Sequence, residues 1–309
     1  VKNCSILMAC ILVLGAGLIL TPAARAQRQR TSVPPAILET MQRYGVERQK
    51  QKPDFRTRDV PDQSMLSATC LDYSASGPTL RVETPEGKSL ECFLDPQRSR
   101  ILDVDGSPLS GRDLLPGTEL VLVLSGRERM RVASRVFRLG VPPAPSSTPP
   151  ALDPVPVREP RTGLVLRPPR GWRGTPSAKG AELLCFEPRV GQGRFLPRLI
   201  LTSSPATSPG PSDRTPNHRI LGETTRGSGQ ALIRERLAVV LIQDQVFLLH
   251  EQQIMGGPEG SLELVGWALA EDLPGLLDGF RAVGEQILEG RLSGSTPSCA
   301  SPGGPSREA

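Results

Sequence analysis

Three long β-type runs lying close together constrain the fold more than any other feature. Residues 232–242 (LIRERLAVVLI), 245–255 (QVFLLHEQQIM) and 261–269 (SLELVGWAL) are dense in aliphatic and β-branched side chains. Only Gln243-Asp244 and the Gly-Pro stretch 256–260 separate them, and connections so short make hairpins. Strands joined in this way lie side by side and antiparallel, and their apolar face needs a cover. Residues 271–288 can provide one. Leu273, Leu277, Phe280, Val283 and Ile287 recur every three or four positions, which is one stripe of a helix. Asp272 or Glu271 is placed to cap that helix, with Pro274 in its first turn.

Residues 162–291 extend this centre into a domain. Strands are expected at 163–167, 181–186, 198–202 and 220–225. Residues 168–172 form a turn with Trp172 as a packing anchor, and 202–217 form a Ser/Pro-rich loop. Residues 64–140 read as a second, all-β module, with strands at 68–73, 79–84, 89–94, 100–104, 119–124 and 131–138. Pro85-Glu86-Gly87-Lys88 and Asp105-Gly106 are turns between them, and Leu114-Leu115-Pro116-Gly117 ends a one-turn connector. Leu80/Val82 and Val121/Val123 alternate as half-buried strands do.

Glycine and proline together are 63 of 309 residues, about 20% against a usual ~12%, and the excess is concentrated in connectors. Residues 141–161 (VPPAPSSTPPALDPVPVREPR) hold eight prolines and read as a stiff, polyproline-like spacer. Residues 27–63 form a basic, polar leader in which Ile37, Leu38, Met41 and Tyr44 have the spacing of a short helix. Residues 292–309 form a Ser/Pro/Gly tail. Residues 1–26 have the layout of a secretion signal: Lys2, an apolar run over 6–20, and Ala24-Arg25-Ala26 as the cleavage site before Gln27. The apolar run is shorter than the ~20 residues needed to span a bilayer. The expected location is therefore periplasmic or secreted.

Without residues 1–26, Lys+Arg falls from 37 to 35 against 32 Asp+Glu. The resulting +3 is weak, and arginines scattered without interleaved aromatics are not a nucleic-acid footprint. Four cysteines remain, namely Cys70, Cys92, Cys185 and Cys299, and export permits disulfides among them in any of three pairings. In a meander, Cys70 falls opposite Val82, which falls opposite Glu91. Cys92 is then two strand spacings away, ~9.5 Å against a limit of ~7 Å for bridging, so no bridge is expected there. Bringing the first and third strands together in a barrel would reverse this.

Two resemblances add to this reading. The pattern LRVETPEGKSLECFL, ILDVDG, DLLPGTELVLVL and RVASRVFRL over about seventy residues resembles small OB- or SH3-like β-barrel modules of exported bacterial proteins of unknown function. In the second half, GLVLRPPRGW, PRLILTSSP, LLHEQQIM, LELVGWAL and the closing amphipathic stretch resemble the Mog1/PsbP-like superfamily, including its DcrB-like branch. The resemblances imply an α+β chain: a small all-β barrel followed by an α/β/α sandwich around an antiparallel sheet, acting mostly as a binding or assembly partner. The loop at 202–217 departs from relatives that place a helix there.

No catalytic constellation is assembled by spacing. His250-Glu251 opens like a zinc-protease helix, but Ile254 stands where the second histidine is required, and the run is β-type. His218 is the only other histidine, too few for a His-rich metal site. Ser228 lacks the frame of a nucleophile elbow, and Gly227-Ser228-Gly229 reads as a flexible turn. Asp103, Asp105 and Gly106 lack the remaining ligands of a calcium loop. Glu182, Glu187, Glu251 and Glu263 would serve acid–base work if one face gathered them, and nothing in the sequence brings two together. Cys185 reads as a buried apolar residue. Catalytic, cofactor and metal sites are accordingly expected to be none. The expected partner is a protein of the bacterial cell envelope. Alternatives are an extracytoplasmic hydrolase using carboxylates of the second domain, or a small-ligand carrier.

Overall fold

A computed structural model describes residues 63–74, 77–125, 131–177, 180–190, 195–204, 217–228, 231–242, 245–256 and 260–292. The signal, the leader up to residue 62, the loop centre at 205–216 and the tail with Cys299 lie outside these. The chain is mostly antiparallel β-sheet with one described helix.

The first sheet contains β1 (Ser64–Ser74), β2 (Thr79–Glu83), β3 (Ser89–Phe93), β4 (Arg100–Leu102), β5 (Glu119–Ser125) and β6 (Val132–Arg138), in the order β3-β2-β1-β5-β6-β4. A further pairing between Phe93 of β3 and Val132 of β6 bends the sheet round on itself. Gly87 has φ 77° in the β2–β3 hairpin, a conformation in which an L side chain is strained. Inside the curl lie Cys70, Leu80, Val82, Cys92, Leu120, Leu122, Leu124 and Val136. Cys70 stands opposite Val82 as expected, while Val82 faces Leu90 rather than Glu91. Cys70 and Cys92 are both buried free thiols.

The second sheet contains β9 (Trp172–Pro176), β10 (Glu182–Pro188), β11 (Arg198–Ser204), β12 (His218–Ser228), β13 (Ala231–Ile242), β14 (Gln245–Met255) and β15 (Ser261–Leu269), in the order β12-β13-β14-β15-β11-β10-β9. The three central runs therefore pair as their hairpins require. The turn expected at 168–172 is present, closed by the Trp172 N–H on the Pro169 carbonyl at 3.0 Å, and β9, which was not expected, follows it. Gly174 and Pro176 weaken its sequence signal, and the sheet edge tolerates both. Helix α1 (Leu277–Leu292) follows a 3-10 turn at Leu273–Gly275. Its stripe is buried as expected, with Phe280, Val283 and Ile287 fully inaccessible. Trp172 meets Phe280 edge-on at 5.5 Å, the anchoring role expected of it. The expected cap differs. Asp272 makes no side-chain cap bond, and Glu271 reaches across to pair with Arg135 of the first sheet at 2.5 Å.

That ion pair lies where the sheets meet. Strand β5 is buried on both faces, not half-buried as its alternation suggests: Leu120, Leu122 and Leu124 point into the curl, while Val121 and Val123 point out. With Met65, Leu102, Val104 and Phe137 these two valines join one cluster that contains Leu221, Leu237, Leu248 and Phe280 of the second half. Close backbone approach makes this possible. A Cβ on Gly106 would overlap the Ala270 carbonyl, and one on Gly222 would overlap that of Gly140.

The proline-rich connector also differs from a free-standing spacer. The two-residue strands β7 (Val157–Arg158) and β8 (Val165–Leu166) pair with each other, and Leu152 bridges Pro169. Asp153 and Glu159 are buried within it. Glu159 accepts hydrogen bonds from Thr162 and Arg161. Proline forbids helix and central strand, but its carbonyls remain acceptors, and neighbouring donors use them.

Candidate functional site

Period-two alternation sends neighbouring residues of β13 and β14 to opposite faces of the second sheet. Each face therefore receives its own polar group, set among apolar neighbours. On the helix-covered face Glu235 stands between Ile233 and Leu237, and His250 between Leu248 and Gln252. His250 Nε2 lies 3.0 Å from Glu235 Oε1. Arg281, the residue after Phe280 on α1, donates from Nε to the same oxygen at 2.7 Å. Arg226 of β12 approaches Glu235 Oε2 at 3.6 Å and pairs with Glu285 of α1. Gln252 donates to the Phe280 carbonyl at 3.4 Å, and Phe280 stacks on the His250 ring at 6.2 Å.

Burial alone would push the Glu235 carboxyl up. The hydrogen bonds and charges of His250 and Arg281 outweigh it and hold the group down at about 2. Burial pushes His250 below its ordinary value against the pull of Glu235. The cluster is thus a neutral imidazole beside a carboxylate held by arginines. Glu235, Arg281 and His250 expose 1%, 3% and 0% of their surface.

On the opposite face Glu251 lies between Arg236 of β13 and Val265 of β15, with Glu263 diagonally adjacent. His218 Nε2 is 3.9 Å from Glu251 Oε1, and Arg236 is bound instead by Glu223 at 2.5 Å. Burial, with the Glu263 charge beside it, pushes Glu251 up to about 8 against the pull of Arg236. Burial also raises Glu263. The apolar part of this face is Ile200, Ala238, Val240, Phe247, Leu249, Val265 and Trp267.

The structure thus unites Glu251 with Glu263 and separates them from Glu187, which binds Arg173 and Arg198. Glu182 stands opposite Thr202, which stands opposite Glu263, so it is one strand removed. His250 and Glu251, adjacent in sequence, serve different faces. Cys185 is a half-buried thiol pushed up to about 12 by burial and by Glu182 and Glu187. Gly227 and Ser228 end β12 rather than forming the turn itself. Asp103 and Gly106 close a turn through Gly106 N–H and the Asp103 carbonyl, and Asp103 pairs with Arg138 at 2.7 Å. Among the described residues no helix is long and apolar enough to cross a membrane.

Glu235, Arg226 and Arg281 escaped the sequence reading. A signal for Glu235 was present: it occupies the inward phase of a strand whose other inward residues are Ile233, Leu237 and Val239, and such a carboxylate demands a partner.

These features define a helix-backed antiparallel β protein whose polar groups are enclosed. No protein-family model and no curated protein sequence matches the chain. Among solved structures it is similar to LpqN, described as involved in cell envelope biogenesis of Mycobacterium tuberculosis, at 17% identity and a TM-score of 0.35, over 42% of this chain and 87% of that one. It is also similar to cyanobacterial PsbP (CyanoP) from Synechocystis sp. PCC 6803, at 16% identity and a TM-score of 0.30, over 43% and 89%. At these scores neither likeness carries an argument about function.

Proposed function

We propose that this is an exported, non-catalytic protein of the bacterial cell envelope that works by presenting surfaces to a protein partner. In this reading the curled first sheet is a small barrel of the OB/SH3 type, and the second half is a Mog1/PsbP-like sandwich. The observation that supports it is the state of the titratable groups. Glu235, His250 and Glu251 expose 0–4% of their surface, and His250 and Glu235 are bonded to each other inside the core. Acid–base catalysis needs a group within hydrogen-bond reach of a substrate proton, and groups enclosed to this degree do not offer that reach.

The competing reading, an extracytoplasmic hydrolase, draws on the same two clusters, because His250 does stand beside a carboxylate and Glu251 does neighbour Glu263. Complementation separates the two. In a strain lacking the protein, His250→Asn and Glu251→Gln variants that fold to wild-type levels are expected to restore the phenotype. Loss of complementation by a folded variant would favour the hydrolase. Export is tested by fusing residues 1–62 to a reporter active only outside the cytoplasm.

A further inference from the structure

Beyond β6 the chain crosses the edge of the second sheet. Gly140 N–H donates to the Leu221 carbonyl of β12 at 3.0 Å, and Pro142 is buried. The chain then reaches α1, where two groups hold it. Arg281 Nη2 donates to the Pro143 carbonyl at 2.7 Å, and Ser146 N–H donates to Asp278 Oδ1 at 3.4 Å. Arg281 is the hub of this arrangement. One guanidinium contacts the sheet through Glu235, its own helix through Asp278 at 3.6 Å, and the connector through Pro143. A guanidinium, with five donors fixed in one plane, reaches these three acceptors from a single position.

The placement matters because Glu235 and Arg281 lie in the seam between β12 and α1 that the connector crosses. Of residues 141–149 only Pro142 is buried, so the segment lies on the surface. Its prolines stiffen it and lower the entropy lost on docking. The later part of the connector has its own anchors: the Leu152–Pro169 bridge, the Arg189–Asp153 pair at 3.0 Å and the β7–β8 pairing. The two halves of the connector therefore have separate ties, and only the first is held by Arg281 and Asp278.

We infer that residues 141–148 form a strap, latched by Arg281 across the β12–α1 seam, that closes the Glu235–His250 cluster off from solvent. Release of the latch frees the strap without unfolding either sheet, because the shared apolar core and the later anchors remain.

Hydrogen exchange on the full chain tests this. The reporters are the hydrogen-bonded amides of Ser146 and Thr148, compared with those of β13 and β14. In Arg281→Met, exchange of the strap amides is expected to rise at least tenfold while the strand amides stay within about twofold of wild type. Asp278→Ala, which removes the second tie and leaves the buried cluster intact, is expected to release the strap in the same direction. Arg281→Lys, keeping charge but not the fork, is expected to fall between wild type and Met. Strap exchange unchanged in both Arg281→Met and Asp278→Ala would overturn the inference. If Arg281→Met loosens strap and strands together, Asp278→Ala decides: selective strap release upholds the latch, and an unchanged strap overturns it.

Discussion

Replacing Glu251 with Gln is expected to stabilise the protein at alkaline pH and leave it no more stable at acid pH. The side chain lies on β14 between Arg236 and Val265, is 4% exposed, and has an Oε1 without a hydrogen-bond partner among the described residues. The charged groups facing it are Glu263 on β15, Arg236 on β13, and His218 and Glu223 on β12. Its pKa is raised from 4.5 to about 8 by burial and by Glu263. The sign follows from linkage. Below pH 4.5 folded and unfolded chains both carry the proton, and the contribution is fully present. Between 4.5 and 8 the unfolded chain gives the proton up and the folded one keeps it, so stability falls by about 1.4 kcal/mol per pH unit. Above 8 the loss levels off, at roughly 5 kcal/mol in total as an upper limit.

Gln has nearly the same shape and no ionisation, so the variant removes this limb without opening a cavity. Glu263, itself raised, also loses a repelling neighbour. The measured quantity is the difference in unfolding free energy between variant and wild type at pH 5, 6, 7 and 8. Trp172 and Trp267, the only two tryptophans and both buried, report it by fluorescence in urea. The difference is expected to move in the variant's favour by several kcal/mol from pH 5 to pH 8. At about 2–4 °C per kcal/mol, the melting temperature at pH 8 should be higher by roughly 10 °C. Parallel pH profiles for the two proteins would refute the reasoning, because they would mean that Glu251 is ionised and satisfied in the folded state.

His250 titrates in the opposite sense. Its folded pKa is depressed below 6.5 by burial, so the stability it gives is present above 6.5 and is lost as pH falls further. His250→Gln is expected to flatten that acid limb, read by the same urea titrations. Gly222→Ala has a negative outlook for steric reasons alone, since the new Cβ meets the Gly140 carbonyl and Val104 Cγ2. A cost of about 1–3 kcal/mol is expected, whereas Gly290→Ala in α1, with nothing within 4 Å of the new methyl, should gain roughly 0.5–1 kcal/mol. Cys70 and Cys92 are buried free thiols whose pKa values burial pushes up. A thiol reagent is expected to leave both unlabelled in native buffer and to label both in guanidinium, as read by peptide mass. A Cys70–Cys92 disulfide in the exported protein would contradict this.

What the sequence disclosed and what it concealed follow from range. Hairpin turns, strand periods and the helical stripe are local, and the β13–β14–β15 pairing and the Leu277–Phe280–Val283–Ile287 face were legible for that reason. Pairings between distant elements were not. The diagonal of Glu251 and Glu263 depends on the register of β14 against β15, and in the first sheet the registry of β2 on β3 was one residue off the expected pairing. The Glu235–Arg281 contact joins residues 46 apart in sequence, and neither spacing nor composition connects them. One concealed feature did leave a trace. Strand β5 reads ELVLVLS, apolar at both phases of its alternation. A strand that faced water on one side would not tolerate Val121 and Val123 opposite Leu120, Leu122 and Leu124. The second apolar row is explained only by the second sheet packed against it. Continuous hydrophobicity in that one strand thus carried the evidence that the two sheets share a core, and with it the reason the proline-rich connector runs along the surface of the body.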